Sequence, residues 1–208
     1  MTTTTEYFRI GRVGESSDLK VVTVAEGRDA EGLRALYATT KLTDIEKSFT
    51  HFYADVYPEI KMSSPIVVED NPQQNSFQTT EFYTFDGAWT QPENGKYECQ
   101  FYPSIFNALL KKPVDTDRTQ PLGIDFPEHR ILREDVTLPE DWPYTADEKT
   151  ITDPAFTFRK VRRSGANRLV IDYDYQTMAD SVSPDRVSDY LQQLDECSKL
   201  MGNTLTWH

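Results

Sequence analysis

The chain is 208 residues long, 38% hydrophobic and acidic, with 34 Asp and Glu against 22 Lys and Arg and a formal net charge of −12. That balance excludes nucleic acid as a partner, because phosphate binding needs a basic stripe that displaces counterions. No apolar run approaches the roughly 20 residues of a spanning helix, so this segment is expected to make no membrane insertion.

In chain order, EYFRI (6–10) and LKVVTVA (19–25) read as strands joined by a turn that holds Gly11 and Gly14. Helical spacing follows: Leu33, Leu36, Tyr37 and Thr40 fall at i, i+3, i+4 and i+7, with Asp29 as candidate N-cap. Thr43 to Glu46 has the form of a capping box and leads a second helix, whose Ile45, Phe49, Phe52, Tyr53 and Val56 share a face and which Pro58 ends. SPIVVED (64–70) and SFQTTEFYTF (76–85) form a hairpin around NPQQN. KYECQFY (96–102) is a further strand. The charged, aperiodic segment 111–121 is a long loop or an internal boundary; we read residues 1–208 as one domain with a loop there.

HRILREDVTLP (129–139) is again a strand, and AFTFRKVRR with RLVIDYDYQT forms a hairpin around SGAN. Placing Arg163 opposite Arg168 sets Phe158 against Tyr173 and Phe156 against Tyr175 on one face, and Arg159 against Asp172 on the other. A third helix has Ser183 as N-cap, Pro184 at N1, a stripe of Val187, Tyr190, Leu191, Leu194 and Met201, and Gly202 past its end. The expected fold is α+β, a mainly antiparallel, sandwich-like sheet with three amphipathic helices packed on it.

Motifs for chemistry are few. His51, His129 and His208 are scattered, HExxH, CxxC and HxH are missing, and nine glycines are dispersed. Neither a zinc site nor a phosphate loop is expected, and no cofactor. Asp115 and Asp117 lack EF-hand spacing and read as a solvated turn. Glu81 shares a strand face with Phe77, Tyr83 and Phe85, so it is either paired to a helix, turned outward by a bulge, or a buried carboxyl with a raised pKa and a role. Trp89 and Trp142, like Trp207, sit near proline or glycine; they either pin loops or offer an exposed platform for a peptide or glycan. Cys99 lies mid-strand in the apolar row Tyr97, Cys99, Phe101, beside Glu98, which suits a core thiol and not a nucleophile. Cys197 reaches Cys99 as a disulfide only if the third helix covers that strand in an exported protein. No catalytic or metal-ligating residue is assigned; Trp89, Trp142 and Glu81 are the binding candidates.

The runs VVTVAEGRDAEGLRALYAT, FYADVYPEI, PLGIDFPEHR…LPEDWP and ADSVSPDRV…YL resemble the region that follows the transglutaminase-like core in large bacterial envelope proteins with an N-terminal domain of unknown function. The resemblance covers nearly the whole chain. It implies a periplasmic or secreted protein, a β-sandwich type fold with helices, and a parent bearing a Cys-His-Asp thiol site that no run here matches. The expectation is a non-catalytic accessory domain whose partner is the parent's catalytic core, which it supports or supplies with substrate. The alternative is an autonomous peptide- or glycan-binding module using exposed aromatics.

Overall fold

Alternating apolar side chains along strand after strand build one large sheet with a single covered face. The computed structural model describes residues 1–91, 95–113, 119–142 and 145–207. Its elements are β1 (Thr2–Arg9), β2 (Ser17–Glu26), α1 (Arg28–Thr39), α2 (Leu42–Ala54), β3 (Lys61–Asn71), β4 (Ser76–Phe85), β5 (Tyr97–Phe101), β6 (Leu122–Gly123), β7 (His129–Thr137), β8 (Asp147–Asp153), β9 (Phe156–Gly165), β10 (Arg168–Thr177), β11 (Ser181–Val182), α3 (Val187–Lys199) and β12 (Asn203–Trp207). Eight strands form a sheet in the order β3-β4-β2-β1-β7-β10-β9-β8. Every pairing in it is antiparallel except β1 with β7, which joins an N-terminal and a C-terminal group of four strands. The fold is therefore α+β, as the sequence implies.

All three helices lie on the same face. Tyr37 of α1 meets Phe77 at 5.3 Å between ring centroids, Tyr53 of α2 meets Tyr83 at 5.4 Å, and Tyr190 of α3 meets Phe156 at 5.7 Å. The short β5–β12 ribbon covers the sheet between them, where Phe101 packs edge-on to Phe8 at 5.3 Å. Burying each such aromatic side chain contributes roughly 1.5–3 kcal/mol. The opposite face is wet and charged: Arg163 and Arg133 pair with Asp172, Arg168 with Asp135, and Arg159 with Glu148. Each pair has at least one exposed partner, although Asp135 itself is buried, and pairs open to solvent contribute about 0–1 kcal/mol each, so the covered face dominates stability. At one edge, β3 is irregular between Met62 and Val67 and carries Pro65, features that discourage edge-to-edge pairing.

Four local expectations differ from the structure. The β9–β10 hairpin is tighter than SGAN suggests: Gly165 faces Arg168, so Tyr175 faces Phe158 and Tyr173 faces Lys160. Ala166 and Asn167 both take positive φ (44° and 48°), which makes a two-residue turn and moves the register by two, leaving each side chain on its expected face. At the start of α2, Lys41 is the N-cap and no side chain caps the helix; Glu46 instead accepts a hydrogen bond from the Ile66 amide at 3.3 Å. At the start of α1, Gly27 occupies the cap, and Asp29 sits in the first turn, facing Thr2 and Arg130. In α3, Ser183 and Pro184 open a short 3-10 turn, Pro184–Arg186, that feeds the helix. Asp115 and Asp117 lie outside the described residues.

Alanine carries a Cβ penalty at positive φ that glycine does not. Ala166→Gly is thus expected to raise stability by about 0.5–1 kcal/mol, readable as a higher urea midpoint.

Candidate functional site

Strand register sets the covered face out in lateral rows. One row runs Phe77, Ala25, Thr2, Arg130 across β4, β2, β1 and β7. The next runs Thr79, Thr23, Thr4, Leu132, and the third Glu81, Val21, Glu6, Glu134. Three adjacent threonines leave the sheet thinly covered at its middle. Helix α2 crosses above them without filling the gap, and a cleft of about 570 Å³ remains. Its floor is Thr2, Thr4, Thr23, Thr79 and Glu81; its walls are Leu33 of α1, Phe49, Phe52 and Tyr53 of α2, and Ile105 and Leu109.

One end of this cleft is electrostatically complete. The Arg130 guanidinium bonds Asp29 Oδ2 at 3.2 Å and Glu128 Oε1 at 2.5 Å, and the Thr2 hydroxyl donates to the same Asp29 oxygen at 2.7 Å. Burial opposes ionisation of Asp29, but Thr2 and Arg130 outweigh it and hold the carboxyl below its ordinary pKa.

The other end is different. Glu81 is 4% exposed, and the Tyr83 hydroxyl donates to its Oε2 at 2.6 Å. Glu6, one strand beyond Val21 and 2% exposed, accepts the Tyr53 hydroxyl at 2.8 Å. Among the described residues neither carboxyl forms an ion pair. Burial pushes each pKa up to about 7, against the opposing hydrogen bonds from Tyr83 and Tyr53, and Glu81 raises Glu6 further. Glu134, fully buried beside Glu6, lies well above the ordinary carboxylate range through burial and that neighbour, with Lys160 and Tyr173 acting the other way. The site therefore holds a row of carboxyls screened by tyrosines, of which Glu81 faces the cleft.

Comparison with protein-family models, curated proteins and solved structures finds no significant match.

Of the sequence candidates, Glu81 alone lines this cleft. The tryptophans are not an exposed platform. Trp89 is 7% exposed, donates from Nε1 to the Gly11 carbonyl at 2.8 Å, and packs against Trp142 (5.6 Å, stacked) and Trp207 (5.1 Å, edge-on). Trp142 and Trp207 touch in turn at 5.4 Å, so three distant segments close over one aromatic knot. The disulfide is likewise corrected: Cys99 and Cys197 are both buried free thiols. Cys99 lies by Tyr57 and Cys197 by Tyr175 and Tyr190, and burial pushes each thiol up to about 12, the reverse of activation. Among the described residues no group of three His, Cys, Asp or Glu is placed to hold a metal ion, and no helix is long and apolar enough to cross a membrane.

Sequence reasoning missed the threonine floor, Tyr53 as the lid over Glu6, and Arg130. A signal for the first two existed. Glu6 has the parity of Phe8, which marks it as inward, and the TTTT run continues that same alternation back to Thr2 and Thr4.

Proposed function

We propose that this chain is a non-catalytic ligand-binding module whose binding site is the cleft between α2 and the threonine floor. The observation that carries the reading is a cleft of drug-fragment size with apolar walls over a threonine floor, and with the nearly buried carboxyl of Glu81 at the end away from Arg130. Its lining contains no histidine, cysteine or lysine, so neither a thiol–imidazole pair nor a Schiff-base lysine faces the space among the described residues. The resemblance to the region after a transglutaminase-like core supports a setting for this activity. In that setting the module belongs to a periplasmic or secreted bacterial envelope protein and presents its ligand to the parent's thiol-bearing core. The tryptophan knot is a weaker candidate for peptide or glycan contact, because its rings spend their faces on one another.

A fragment screen by amide chemical-shift mapping tests the proposal. Small apolar ligands are expected to shift Thr4, Thr23, Thr79 and Tyr53. Ala108 is exposed at the cleft mouth, so Ala108→Trp should block those shifts and leave the fold intact. Shifts confined to Trp89, Trp142 and Trp207 would move the site to the knot and sink the cleft.

A further inference from the structure

Glu81 poses a chemical problem that its own chain does not solve. Tyr83 occupies one of its oxygens, and among the described residues nothing donates to Oε1. The groups that face it are hydroxyls and acids from every packed element: Tyr83 on its own strand, Glu6 on β1, Tyr37 on α1, itself near Glu46 of α2, and Tyr53 on α2. The Tyr37 hydroxyl, buried without a hydrogen-bond partner among the described residues, feels the charge of Glu81. The nearest cation of the cleft lining, Arg130, is already engaged by Asp29 and Glu128 at the far end.

We propose that the cleft takes a primary ammonium on an apolar body, with the ammonium on Glu81 Oε1 and the body along Leu33, Phe49 and Phe52. This rests on the cleft being a binding site at all. An ammonium brings three donors, which match a free carboxylate oxygen and the neighbouring Thr79 hydroxyl. The aromatic walls of α2 add attraction for a cation through their ring faces. An anionic ligand meets the opposite: Glu81 at one end, and at the other Asp125 and Glu128 beside an arginine that is already paired. A neutral ligand fills the apolar walls but leaves Oε1 unused. The acidic surface, at net −12, adds long-range attraction of the same sign.

Binding has a direction in pH. The ammonium stays protonated throughout, since alkylammonium groups titrate near pH 10. Glu81 must ionise to meet it, so the complex releases a proton and tightens as pH rises through about 7.

The test compares hexylamine, hexan-1-ol and hexanoate on the intact chain by calorimetry and amide shifts. Hexylamine is expected to bind about ten-fold or more tightly than hexan-1-ol, the scale of one charge-assisted hydrogen bond, with hexanoate weakest. Glu81→Gln should remove that advantage while hexan-1-ol binds as before. Proton release, read at about pH 6, where Glu81 still holds its proton, as a dependence of the heat on buffer ionisation enthalpy, requires no variant and holds the proposal falsifiable if Glu81→Gln misfolds. Equal binding of hexylamine and hexan-1-ol at the cleft, or no proton release, overturns the ammonium and leaves the binding site standing. If none of the three probes shifts the cleft amides, both fall.

Discussion

Phe158→Ala is expected to cost about 3–5 kcal/mol, a large share of the roughly 5–15 kcal/mol that holds a domain folded. Phe158 is fully buried on β9, where Tyr175 faces it in register. Phe106 meets it edge-on at 6.2 Å and Tyr173 at 6.4 Å, so removing the ring opens a void between the sheet and the 104–106 turn. Neighbouring aromatics are wedged by further contacts, such as Phe106 on Tyr173 at 5.8 Å, and cannot collapse into the space. At about 2–4 °C per kcal/mol for a chain of this size, the thermal midpoint should fall by about 10 °C. Val67, 49% exposed on edge strand β3, is the control: Val67→Thr should stay within about 0.5 kcal/mol. Similar midpoints for the two variants would mean that the covered face is not the principal source of stability.

The core was legible because its signal is local. Period-two alternation reproduces β4 and β10 with the bounds read from sequence, and the parity of Glu81 with Phe77 and Tyr83 places it inward. Where alternation is missing, so was the strand. β8, DEKTITD, is a polar edge with one covered side, and β12, NTLTW, is short and, among the described residues, pairs only with β5. Ala166 hid the hairpin register, because alanine gives no hint of positive φ. The parallel join of β1 to β7 links residues more than a hundred positions apart, and no local pattern encodes such pairing. Residues Trp89, Trp142 and Trp207 show the same limit, since each looks like a loop residue until the others arrive.

The candidate site follows that division. Its inward carboxyl is a matter of parity, and parity is readable. The space above it is not. It exists because the threonine row is low, because Phe49 and Phe52 of α2 pass over it without entering, and because Tyr53 reaches past them to Glu6. Those are consequences of where a helix lands on a sheet, decided by contacts between segments some forty residues apart.

The same buried acids give the second large prediction, a stability that falls as pH rises. Glu6 titrates near 4.5 when exposed and near 7 when folded, so between those values the folded chain holds a proton that the unfolded chain has lost. Stability from this group is full below about pH 4.5, declines through the interval, and is flat above about 7. The loss is on the order of 3 kcal/mol. Glu6→Gln copies the protonated carboxyl, keeps an oxygen for the Tyr53 hydroxyl, and can give its amide proton to Glu134, which β7 sets beside it. The variant should match the wild type near pH 4.5 in urea unfolding and exceed it by a few kcal/mol at pH 8. Self-repulsion at net −12 also grows with pH, but both chains share it, so the difference between them isolates Glu6. Asp29 works in the reverse sense, its lowered pKa costing stability only as pH falls below about 4, outside the window. Adding Glu81→Gln should help less than the sum of the two single changes, because removing the charge of Glu81 lowers the pKa of Glu6. Parallel wild-type and Glu6→Gln curves from about pH 4.5 to 8 would show that Glu6 ionises in the folded chain as it does in the unfolded one, its charge matched by its surroundings.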